Sequence, residues 1–76
     1  MNNWNALFTG TILGNTYSLL VGSSPNGRWI TTELYVAAPG GEVIHSMTRD
    51  FSRNWGEWSF SSIKRSVLRE AREDLS

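Results

Sequence analysis

The chain has 76 residues, 39% hydrophobic and 12% aromatic, with seven basic side chains balanced by seven acidic ones and no cysteine. A length of this order makes one domain, and charge neutrality argues against both the basic footprint of a dedicated nucleic-acid binder and an acidic DNA mimic. Disulfide staples are excluded, and with His45 as its single imidazole the sequence offers no ligand cluster, so neither a metal nor a cofactor is expected.

A domain this small hides only about 60% of its unfolded surface. Without disulfides or metal it must rely on aromatic packing or on association. Four Trp, two Tyr and three Phe supply the packing area. No apolar run approaches the ~18–20 residues of a membrane span. Met1-Asn2-Asn3-Trp4 lacks the basic start and apolar stretch of a secretory signal. The expectation is a cytoplasmic protein.

Charge is distributed unevenly. Residues 1–27 hold no Asp, Glu, Lys or Arg. Exposed strands normally carry charges that block association, so a charge-free hairpin is expected to be covered, and a homodimer through it is one way to do so.

Turn signals cut the chain into strands at about 6–13, 16–22, 28–38 and 42–51, followed by a helix at about 60–75. The predicted fold is α+β: a four-stranded antiparallel β-meander with one C-terminal α-helix on one face, ββββα. Gly14-Asn15 reads as the first two-residue turn. It would set Ile12 opposite Tyr17, Gly10 opposite Leu19 and Phe8 opposite Val21, with Gly10 marking a bulge or a close approach. The reverse face then holds Leu7, Thr9, Thr11, Leu13, Ser18 and Leu20. Gly22–Gly27 is a loop. Pairing about Gly40-Gly41 sets Val36 opposite His45, Leu34 opposite Met47 and Ile30 opposite Phe51 on a core face that Ala38 and Val43 extend. The other face pairs Tyr35 with Ser46, Glu33 with Thr48 and Thr31 with Asp50, with Trp29 and Ile44 at its ends.

Ser59 is placed to cap the helix, with Trp58 and Ile63 as a hydrophobic staple. Phe60, Ile63, Val67, Leu68, Ala71 and Leu75 fall within about 140° of arc and form its buried stripe.

Catalysis has little to stand on. A nucleophile needs a base within reach, and His45 points into the expected core. Asp50 and Glu57 each have an arginine nearby as partner, and Pro39-Gly40-Gly41-Glu42 lacks the lysine of a phosphate-binding loop. The chain is therefore read as no enzyme.

Three constellations remain as contact surfaces. The segment from Arg49 to Phe60 packs four aromatics with two arginines, and in it Arg53 and Trp55 are the candidates for partner binding. On the helix, Arg65, Arg69 and Arg72 line up opposite the apolar stripe, with Lys64 nearer the helix start. Glu70, Glu73 and Asp74 gather in the last turns, against the helix dipole. The third surface is the uncharged sheet face, with Leu7, Leu13, Leu20, Trp29 and Tyr35 as its interface candidates.

In format (a cysteine-free sheet plus helix) the chain resembles small phage- or mobile-element-encoded proteins that inhibit bacterial defence, including anti-CRISPR proteins. That resemblance implies a non-catalytic protein-binding module acting by occupying a surface of a larger macromolecule. Gly27-Arg28-Trp29 followed by Gly40-Gly41 in a short sheet before one helix also resembles plant AP2-type and phage integrase arm-binding domains. This second resemblance implies a nucleic-acid-binding accessory domain using the sheet or the Arg/Trp segment. Neutral net charge disfavours it, because it removes the term that supplies most non-specific affinity.

Overall fold

The computed structural model describes residues 3–52 and 59–76, with side chains undescribed at positions 3–5 and 60. Four antiparallel strands, β1 Asn3–Ile12, β2 Asn15–Ser23, β3 Trp29–Ala37 and β4 Val43–Ser52, lie in the order β1-β2-β3-β4 and precede helix α1, Phe60–Leu75. The architecture is the expected ββββα.

The β3–β4 hairpin pairs as the sequence predicts, with Leu34 opposite Met47, Val36 opposite His45 and Ile30 opposite Phe51. Gly41 adopts φ 94°, and Ala38 N–H donates to the Glu42 carbonyl at 2.8 Å. One expectation at this hairpin fails. The register slips between Val36 and Ala37, so that Val43 pairs with Ala37 and Ile44 is the extra residue. The bulge turns Val43 away from the core and leaves it 57% exposed.

The β1–β2 register also differs from expectation. The turn centres on Leu13-Gly14, not Gly14-Asn15, which moves the pairing by two residues: Phe8 faces Leu19, Gly10 faces Tyr17 and Ile12 faces Asn15. Leu13 at φ 48° and Gly14 at φ 79° give the two positive φ values of a tight hairpin turn. Holding Leu13 there costs about 1–2 kcal/mol. The compensation lies at Gly10, where the Tyr17 ring crosses the strand so closely that an added Cβ would sit 2.7 Å from its Cε2. Gly10 is thus a close approach to Tyr17, and the bulge of this hairpin falls between Trp4 and Ala6.

The loop before β3 is held by its own side chains. Asn26 Oδ1 accepts from Ser24 Oγ at 2.7 Å and from Arg28 N–H at 3.0 Å. Gly27 supplies the positive φ of 72°.

Helix α1 begins at Ser59, whose Oγ accepts from Ser62 N–H at 3.1 Å. Its buried stripe is Ile63, Val67 and Ala71, spaced by four so that all three face the sheet. They close over Leu19, Val21, Leu34 and Val36, each fully shielded from solvent. Phe8, Phe51, Leu68 and Leu75 pack around the rim. The helix covers one side of the sheet, and the core lies between them.

Candidate functional site

Alternation along the strands puts every second residue on the side away from the helix. Six large apolar side chains are exposed among the described residues: Leu7, Leu13, Trp29, Tyr35, Val43 and Ile44. Leu7, Trp29 and Tyr35 lie on this open face and Val43 joins it by pairing with Ala37, while Leu13 sits in the first turn and Ile44 at the bulge. Leu20, opposite Leu7, is half-buried among its neighbours. Thr9 with Ser18 and Thr11 with Thr16 fill the β1–β2 part of the surface with hydroxyls.

Among the described strand residues the charges of this face are Glu33 and Asp50, with no Lys or Arg. Tyr35 Oη donates to Glu33 Oε1 at 2.5 Å. That bond and the neighbouring negative charge hold the phenol above its ordinary pKa and keep it protonated. Between Tyr35, Ser46, Met47 and Thr48 the surface dips into a shallow cavity of about 200 Å³.

The helix side is organised differently. Arg65, Arg69 and Arg72 are exposed on the crest, and none forms an ion pair within the described residues. They frame Leu68 and an open depression of about 390 Å³. Lys64 is half-buried, its ammonium 5.2 Å from the centroid of the Phe8 ring. Two carboxylates of the last turns, Glu70 and Asp74, face strand β4. Arg49 Nε donates to Glu70 Oε2 at 2.8 Å, and Arg49 Nη2 donates to the other oxygen of the same carboxylate. His45 Nε2 stands 3.5 Å from Asp74 Oδ2, an ion-pair distance when the imidazole is protonated and longer than a normal hydrogen bond. Strand β4 therefore supplies, in Arg49, a cation that offsets part of an acidic helix C-terminus. No rule of helix sequence would place them.

This clamp carries a pH signature. The Arg49 guanidinium holds the Glu70 carboxyl below its ordinary value, with partial desolvation opposing. A depressed carboxylate contributes stability above its unfolded pKa, about 4.3, and loses it as pH falls through the folded value. Acid unfolding of Arg49→Gln should therefore show a shallower loss of stability below about pH 4.3 than the parent chain. Urea midpoints taken from pH 6 to 2.5 test this, and parallel curves would refute it.

Of the residues singled out from the sequence, Leu7, Trp29 and Tyr35 share the open face, Leu13 is exposed in the first turn, and Arg65, Arg69 and Arg72 share the helix crest. The two groups lie on opposite sides of the molecule. Arg53 and Trp55 fall outside the described residues, as does the Trp58 half of the staple. Sequence reasoning missed Val43 as an exposed residue and Arg49 as the partner of Glu70. Within the described residues no group of three His, Asp or Glu side chains is placed to hold a metal, and no helix is long and apolar enough to cross a membrane.

Comparison of the chain with protein-family models, with curated proteins and with solved structures finds no match.

Proposed function

We propose that this chain is a small non-catalytic protein-binding module that lays the open face of its sheet on a larger protein partner. The observation that carries the reading is the gathering of exposed Leu7, Trp29, Tyr35 and Val43 on one sheet face that has no cation among the described residues. Large apolar side chains gathered on an uncovered sheet face are candidates for a contact site. Tyr35 and Trp29 are the side-chain types that anchor such contacts, offering large area for few frozen torsions.

Charge selects the class of partner. Glu33 and Asp50 would repel a phosphate backbone, so nucleic acid does not suit this face. They suit an apolar protein surface bearing Lys or Arg opposite them. A phage- or mobile-element-encoded inhibitor that blocks a host protein by occupancy, of the anti-CRISPR type, is the finer form of this proposal, and it rests on format alone. A nucleic-acid-binding role would move to the other side of the molecule. There Arg65, Arg69 and Arg72 are exposed with no ion pair among the described residues.

Photo-cross-linking in the native cells tests the reading. A benzoylphenylalanine replacing Tyr35 or Ile44 should give a discrete, protease-sensitive adduct with a second protein. Adding Leu7→Asp to the same chain should abolish it. Adducts that disappear with nuclease, or that form only from position 69 on the helix crest, would overturn the proposal.

A further inference from the structure

The two edges of the sheet are treated differently by the sequence. A free edge presents unpaired N–H and C=O groups that recruit other strands, and native proteins blunt it with charge, proline, bulges or a cover. Edge strand β4 is blunted. It carries Arg49 and Asp50. The Arg49 carbonyl accepts from Thr32 Oγ1 at 3.0 Å, which turns its peptide toward β3, and alternation then sends the Thr48 carbonyl outward. Arg49 Nη1 donates to that outward carbonyl at 2.7 Å. The guanidinium that clamps the helix therefore also caps the free edge of β4.

Edge strand β1 has almost none of this. Its ten residues, Asn3 to Ile12, include no charge and no proline, and its single irregularity lies at the Trp4/Ala6 end. We propose that β1 pairs antiparallel with β1 of a second copy about a two-fold axis, joining two four-stranded sheets into one of eight strands.

The lack of charge argues for a second copy over a foreign strand. In a two-fold contact residue i meets residue j and j meets i, so a charge at the axis, or charges of one sign along the strand, would be brought near their own like. A charge-free strand pairs with its own copy without that repulsion, whereas a foreign partner would favour complementary charges. The nearest cation, Lys64, sits in the helix layer over the Phe8 ring.

Area is consistent with a reversible dimer. Ten residues at about 3.4 Å each make an edge about 34 Å long, and the molecule is 16 Å thick in its shortest dimension. The side presented is then roughly 500 Å² per copy, or about 1,000 Å² in total, the lower limit for a specific interface. Stacking two open faces is the less favourable way to dimerise. It would bury Glu33 and Asp50 of both copies with no cation among the described residues of the face to receive them.

Sedimentation equilibrium on the intact chain between about 1 and 300 μM tests the proposal. The mass should rise with concentration from 8.6 kDa toward twice that value. Thr9→Lys with Thr11→Lys adds two cations to β1 at exposed positions and should raise the dimer dissociation constant at least tenfold. Thr48→Lys, on the open face of β4, should leave it unchanged. Circular dichroism of all three chains confirms the fold. A parent chain that stays monomeric to 300 μM overturns the proposal. So does a dimer that survives the β1 lysines, or one that Thr48→Lys dissociates, which would indicate stacked faces.

Discussion

Leu34→Ala is expected to remove about 2–5 kcal/mol of stability, while Leu7→Ala, the same change on the other side of the sheet, should move it by less than about 0.5 kcal/mol. Leu34 has no exposed surface, and its strand neighbours Leu19 and Met47 with the overlying helix leave nothing to collapse into the gap. Leu7 is 61% exposed. The consequence for Leu34→Ala is severe because a domain of this size is stable by only about 4–11 kcal/mol, at 0.05–0.15 per residue. The variant should therefore be partly unfolded at 25 °C or close to it. Urea titration followed by tryptophan fluorescence reads both variants. Equal losses from Leu34→Ala and Leu7→Ala would contradict the assignment of buried and open faces.

That assignment was legible in the sequence because strand alternation has a period of two, and the open-face candidates Leu7, Trp29 and Tyr35 came from it directly. The same period hid the register of the first hairpin. A slip of two residues leaves every side chain on its face, so the pattern could not choose between turns at Gly14-Asn15 and Leu13-Gly14. The choice belongs to the fit of the Tyr17 ring over Gly10, a three-dimensional match with no signature in hydrophobicity. In the second hairpin Pro39-Gly40-Gly41 left less freedom, and the pairs from Val36–His45 to Ile30–Phe51 were predicted correctly. Val43 was misplaced because a bulge next to a turn is invisible to alternation.

The helix shows another limit of the same reasoning. Its acidic last turns run against the dipole, and read as an isolated segment they look uncompensated. Their compensation comes from β4, with Arg49 reaching Glu70 and His45 approaching Asp74. Pairing both acids toward the sheet also sorts the helix into an acidic flank and a basic crest. Drawing Glu70 and Asp74 to the sheet removes two of the acids that Arg65, Arg69 and Arg72 could have paired with, and leaves Glu73 exposed beside them.

Gly10→Val should destabilise the fold by about 1–3 kcal/mol, and the cost should largely vanish when Tyr17 is also shortened. On strand preference alone valine is favoured, by up to about 1 kcal/mol. Packing opposes it. The new Cβ would stand 2.7 Å from Tyr17 Cε2, 2.8 Å from its Oη and 2.9 Å from its Cζ, inside any van der Waals contact. The ring has little room to retreat, since Tyr17 is only 6% exposed. The overlap term is the larger, so the single variant should lose stability despite its better strand former. In Tyr17→Leu the obstacle is gone, and adding Gly10→Val to that background should be neutral or stabilising. The double-mutant cycle should therefore return a coupling of about 1–3 kcal/mol between neighbours one strand apart. Additive losses would mean that the ring does not lie over Gly10. The two-residue displacement of the hairpin would then have no packing rationale.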